Sequence, residues 1–171
     1  MAWPLYRKNP TMTQPKFRKP TQADVAHIAA NMRPEDVRDC ALADGSSPMD
    51  ALLQSTASSS VALCAVVDDK PVAIFGYAEQ APTTACVWML GTPDIPRRLL
   101  SSKYVRGILD CWGKQYATLY NLVPRSSTDI LRWLRALGFR RTCVYLDHGP
   151  QRVTFDCMAY HPQCVKSPQP H

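Results

Sequence analysis

Residues 118–139, TLYNLVPRSSTDILRWLRALGF, constrain this chain more than any other stretch, because a strand, a capped helix and a glycine stop follow one another without a break. Leu119, Tyr120, Leu122 and Val123 form a β-prone run, and Pro124 ends it by removing a ladder donor. Ser126 or Ser127 is placed to cap the helix through its hydroxyl, and Asp129 sits in the positive first turn. Ile130, Leu131, Leu134 and Leu137 recur at three- and four-residue spacing with Trp133 beside them, so one face is buried. Gly138 stands where a left-handed residue is wanted, and Phe139 opens the next strand.

The remaining elements read in order. PKFRKPT is a short basic edge strand, and Thr21 caps a helix from about Gln22 to Asn31. Pro34 opens a second helix to about Ala43, with Glu35 and Asp36 in its first turn, and Pro48 to about Ser55 makes a third. Ser58 to Ser60 reads as a polar linker. Val61–Val67 and Val72–Tyr77 flank the hairpin signature Asp68, Asp69, Lys70, Pro71, and Thr84–Leu90 gives a third consecutive strand. The longest predicted helix, about Arg98 to Tyr116, carries Val105, Ile108, Leu109, Trp112 and Tyr116 on one stripe. Arg152–Ala159 is a last strand, returned by a turn at Asp147, His148, Gly149 and Pro150. The expectation is an α/β mixed sheet, a central strand meander with flanking helices and a C-terminal hairpin.

At 171 residues with 46% hydrophobic and 20% charged residues, one domain with a real core is expected. The division read from composition is a basic, proline-rich N-terminal arm over 1–15, a single domain over 16–160 and a proline-containing tail over 161–171. The net charge is +6. Arg7, Lys8, Lys16, Arg18 and Lys19 fall in the first twenty residues with no acid among them, interleaved with Trp3, Tyr6 and Phe17. Such an arm can lie solvated, dock on a protein neighbour through Trp3, Tyr6, Arg7 and Lys8, or track DNA by phosphate neutralisation and stacking. Seven cysteines in an odd count, spread among apolar neighbours, read as buried free thiols of a reducing compartment. The start lacks an apolar leader segment, and no run reaches the roughly eighteen apolar residues of a membrane span. The expectation is a soluble protein.

The strand–helix–Gly-Phe unit resembles the second half of the GNAT (acyl-CoA N-acyltransferase) fold. Trp88–Thr92 (WMLGT), Leu119–Val123 (LYNLV) and the spacing of Ser127, Ile130, Trp133, Leu134 and Gly138 are similar to a narrower group, the GNAT-like phage proteins that include internal virion protein A of short-tailed phages. That resemblance covers roughly residues 70 to 145. It implies a virion or head-to-tail assembly component, found in the particle and in the host cytoplasm during assembly. Its implied partners are other virion proteins (portal, tail or internal), in a homo-oligomeric or ring assembly, with DNA a further partner through the arm.

In a GNAT enzyme the strand equivalent to Thr84–Leu90 leads into a glycine-rich turn whose successive N–H groups face the pyrophosphate of the acyl carrier. Here the equivalent stretch is Gly91, Thr92, Pro93, Asp94, Ile95, Pro96, Arg97 and Arg98, with two prolines, one glycine and an acid among its eight residues. The tyrosine that many such enzymes carry four residues before the Gly-Phe glycine, as general acid, is Leu134 here. The reading is therefore a non-catalytic scaffold with no cofactor, no catalytic residue and no metal. The alternative is an N-acyltransferase with an atypical acetyl-CoA site using Arg97, Arg98, Ser101 and Asn121. A P-loop, a Gly-x-Ser-x-Gly elbow and a His-Glu-x-x-His zinc motif are all missing from the sequence. Cys157, His161 and Cys164 have loosely metal-like spacing without an evident fourth ligand.

Overall fold

The computed structural model describes residues 14–162. Trp3, Tyr6, Arg7 and Lys8, and with them the proposed arm contacts, lie outside the described residues, as does Cys164.

The described chain forms one seven-stranded mixed sheet. A three-residue edge strand β1 (Lys16–Arg18) precedes α1 (Gln22–Ala30), α2 (Pro34–Ala43) and α3 (Pro48–Ser58). The meander β2 (Val61–Val67), β3 (Lys70–Ala81) and β4 (Thr84–Gly91) follows, then α4 (Ser102–Trp112), β5 (Thr118–Pro124), α5 (Thr128–Leu137) and the hairpin β6 (Arg140–His148) and β7 (Val153–Tyr160). The strand order is β1-β2-β3-β4-β5-β7-β6, and β4 with β5 is the parallel pair in it. This is the α/β architecture expected from the sequence.

Strand alternation sends side chains to two helical layers. Leu109 of α4 and Leu131, Leu134 and Leu137 of α5 close over Tyr77, Val87, Leu119 and Met158. On the other face Val25 and Ile28 of α1 and Leu52 of α3 cover Cys64, Val66 and Ile74. Gly138 ends α5 at φ +107°, and Arg106 of α4 donates to the Ala136 and Leu137 carbonyls there.

Several boundaries differ from the sequence reading: β3 extends to Lys70–Ala81, and β6 runs through Asp147 and His148, so the last turn falls at 149–152. The long helix is broken: Arg97–Leu100 is a 3₁₀ turn, Ser101 is extended, and α4 proper runs only from Ser102 to Trp112. The break survives because the Leu100 carbonyl is satisfied from outside the helix, by the indole N–H of Trp133 at 2.8 Å. Tyr116 falls beyond α4 yet is almost fully buried, its hydroxyl donating to Glu79. Helix α3 runs three residues past Ser55, where the hydroxyls of Thr56 and Ser59 donate back to the Leu52 and Ser55 carbonyls. The cysteines are not uniformly buried: Cys111 and Cys143 are exposed, because no other described element covers α4's outer face or the edge strand β6.

Asp24 fixes the first helix to the first strand. Its carboxylate accepts from the backbone and hydroxyl of Thr21 in a reciprocal cap and from both terminal nitrogens of Arg18. The Arg18 bond, reinforced by those from Thr21, holds the carboxyl down at about 2 against the opposing effect of burial. A carboxyl lowered in the folded state contributes stability that is complete above its ordinary value and lost as pH falls from about 4 toward 2. Asp24→Asn is expected to lower stability at neutral pH by about 1–2 kcal/mol, discounted because Arg18 is half-exposed, and to flatten that acid limb. Urea unfolding from pH 7 to pH 2.5 checks both; an unchanged acid limb in the variant would contradict the assignment.

Candidate functional site

The parallel pair β4–β5 holds for three residue pairs, Thr84↔Thr118, Ala85↔Leu119 and Cys86↔Tyr120. At the next position the ladder stops, and the Asn121 side-chain amide donates to the Val87 carbonyl at 2.7 Å in its place. Asn121 is therefore a backbone-bonding residue at a splayed strand pair. Beyond it the strands part. On one side of the opening lies a cleft of about 1060 Å³ between α2, the strand ends and the start of α5. On the other lies an apolar chamber of about 110 Å³ beneath α4 and α5. Trp88, Met89, Leu100, Asn121, Trp133 and Leu134 touch both.

The turn after β4 decides what this opening can hold. Residues 91–96 carry four backbone N–H groups, since two of the six are proline. All four donate inside the protein: Gly91 to the Asp36 carboxylate, Thr92 to the Val72 carbonyl, Asp94 to the Thr92 hydroxyl and Ile95 to the Thr92 carbonyl. The Gly91 carbonyl is also in use, accepting from the Arg33 N–H. Gly91 is glycine for packing, because a Cβ there would stand 2.3 Å from Ile95 Cδ1 and 2.9 Å from the Val72 carbonyl oxygen. An anion at this turn would meet no free amide within residues 91–96. Residues 91–96 therefore offer no glycine-rich cradle of free amides to the pyrophosphate of coenzyme A.

Asp36 anchors the arrangement. It is 4% exposed, and besides Gly91 it accepts two bonds of 2.9 Å from the Arg33 guanidinium. Burial pushes its carboxyl up, and Arg33 and the Gly91 N–H pull the other way. The pair ties the start of α2 to the end of β4.

Trp133 and Leu134 shape the opposite wall. The Trp133–Leu100 bond links α5 to the segment before α4, across the space that would lead from the start of α4 to the opening. Leu134 is buried there and has no proton to transfer. At the start of α5, Ser127 occupies the cap position but its hydroxyl makes no cap bond. It donates instead to Asp39 of α2 at 2.7 Å and accepts from Arg38 at 3.1 Å. This corrects the expectation of a local serine cap: an acid on α2, brought alongside by the fold, takes the hydroxyl.

Of the residues named for an acetyl-CoA alternative, Asn121 sits at the opening, whereas Arg97, Arg98 and Ser101 lie in and just after the 3₁₀ turn and line neither cavity. Sequence reasoning missed Asp36, Asp39 and Arg33 as parts of the site, since Gly91 and Ser127, which they hold, are distant along the chain. Among the described residues no group of three or more His, Cys, Asp or Glu side chains is placed to hold a metal ion, and no helix is long and apolar enough to cross a membrane.

No protein-family model and no curated protein sequence matches this chain. Solved structures do. The ribosomal-protein-S18-alanine N-acetyltransferase of Escherichia coli is 15% identical with a TM-score of 0.66, covering 92% of this chain and 100% of its own. Ard1 from Thermoplasma volcanium is 13% identical with a TM-score of 0.66, over 87% and 98%. Spermidine N-acetyltransferase of Vibrio cholerae, solved with CoA and spermine, is 11% identical with a TM-score of 0.67, over 87% and 96%. At these identities the likeness is one of fold: the chain has the fold of the GNAT acetyltransferases.

Trp133→Phe keeps a six-membered aromatic ring but removes the pyrrole part of the indole with its N–H donor to Leu100. It is expected to lower stability by about 1 kcal/mol with an unchanged denaturant slope in urea unfolding. A variant as stable as the parent would show that the bridge contributes nothing.

Proposed function

We propose that this chain is a non-catalytic assembly component that uses an acetyltransferase fold as a scaffold. The observation that carries the reading is the internal use of all four N–H groups of residues 91–96. The aliphatic Leu134 at the general-acid position supports it. The resemblance of the WMLGT and LYNLV segments to short-tailed phage proteins supplies the setting: a virion or head-to-tail component, with other virion proteins as partners and Trp3, Tyr6, Arg7 and Lys8 as the proposed contacts. Of the three solved structures named above, those from Escherichia coli and Vibrio cholerae are N-acetyltransferases; all three support the fold, and none supports a virion role.

A second reading is an acyl-CoA-dependent N-acyltransferase with an atypical site. The fold comparisons favour it, one neighbour being solved with acetyl-CoA and another with CoA and spermine. The cleft beside Asn121 is large enough for an acceptor substrate. On this reading Arg97 and Arg98 would have to hold the phosphates through side chains.

Calorimetry with acetyl-CoA and with free CoA separates the two. The scaffold reading expects no binding heat at millimolar ligand. Micromolar binding weakened about tenfold by Arg97→Ala or Arg98→Ala would overturn it in favour of the enzyme.

A further inference from the structure

The last hairpin brings together two thiols that are fourteen positions apart in sequence. Cys143 of β6 and Cys157 of β7 are direct partners in the antiparallel register. Directly opposed residues in such a ladder have Cα atoms about 4.5–5.5 Å apart, inside the range of about 4.4–6.8 Å that a disulfide spans. Their Cβ atoms, ordinarily about 4.5–5.5 Å apart across a ladder, need to approach to about 3.8 Å. The place for that movement is adjacent. The register shifts between Arg141 and Cys143, leaving Thr142 as an extra residue whose hydroxyl donates to the Cys157 carbonyl at 3.3 Å.

Their environments differ in a useful way. Cys143 lies exposed on the edge strand β6, which none of the described helices covers, so a dissolved oxidant reaches it. Cys157 is 8% exposed, and burial pushes its thiol up, which suits it to follow rather than lead. Of the other described cysteines, Cys86 on β4 is close enough to Cys157 for the two thiols to influence one another. Cys64 is fully buried beneath α1, Cys111 is exposed on α4 across the sheet, and burial pushes Cys40 and Cys86 up to about 11.

We propose that Cys143 and Cys157 form a reversible dithiol–disulfide site addressed by hydrogen peroxide. The Cys143 thiolate, with a proton from solvent, attacks one peroxide oxygen, giving Cys143 sulfenic acid and one water. The Cys157 sulfur then attacks the Cys143 sulfur, the S–O bond breaks, and the hydroxide leaves with the Cys157 proton as a second water. Two thiols are oxidised by two electrons, and one peroxide is reduced to two waters. A dithiol reductant reverses the step by exchange. The bond closes a fifteen-residue loop from Cys143 to Cys157 and staples β6 to β7, which is itself laddered to β5 at Leu122↔Cys157.

The test treats the reduced full-length protein with a small excess of hydrogen peroxide, followed by intact mass, peptide mapping and thermal unfolding. The expected result is a loss of 2 Da, a linked peptide pair containing Cys143 and Cys157, and a rise in Tm of about 5–10 °C that dithiothreitol reverses. Cys143→Ser, at an exposed position, should fold normally and lose both the linked peptide and the rise, whereas Cys111→Ser should keep both. Cys143 recovered as sulfinic acid, or linked to a cysteine other than Cys157, would overturn the proposal.

Discussion

Everything distinctive about this molecule follows from how briefly β4 and β5 stay together. Three parallel residue pairs and one side-chain amide, Asn121 to the Val87 carbonyl, hold the two halves of the sheet, and past that point the strands separate. A sheet that opens in its middle must satisfy its edges by other means or leave them for a ligand. Here the turn after β4 is satisfied from within. Gly91 gives its N–H to Asp36 and its carbonyl to the Arg33 N–H, Thr92 folds back on Val72, and the next two amides close on Thr92.

The same closure explains the surrounding polar residues. Asp36 is buried with an acceptor set filled by Arg33 and Gly91, a pairing whose rupture from either side would leave an uncompensated charge. Asp39 and Arg38, a turn further along α2, hold the Ser127 hydroxyl and so fix where α5 begins. Trp133 then reaches from α5 to Leu100, and Arg106 reaches from α4 to the end of α5. The chain has the fold of the acetyltransferases, and the amides of residues 91–96 are turned inward within it.

What could be read from the sequence was what depends on neighbours along the chain. The apolar stripe of α5, its Gly138 stop, and the Asp68–Asp69 hairpin, both of whose residues adopt positive φ, are local consequences of residue type. The two prolines and single glycine of residues 91–96 also showed that donors were lost. What the sequence could not show is the fate of the four that remain, because Asp36 lies 55 residues from Gly91. The Ser127 hydroxyl went astray for the same reason, its acceptor being 88 residues away. The break at Ser101 depends on Trp133, and the meeting of Cys143 with Cys157 depends on a register shift that no local pattern announces.

Amide hydrogen exchange of the free protein at Gly91, Thr92 and Ile95, resolved by NMR, tests the central claim most directly. If these N–H groups are held by Asp36, Val72 and Thr92, all three exchange far more slowly than an unstructured chain, with Gly91 and Thr92 the slowest. Acetyl-CoA then leaves their shifts in place. Exchange near the intrinsic rate, or shifts that move on adding acetyl-CoA, would mean that the turn presents its amides outward and that the closed-cradle account is wrong.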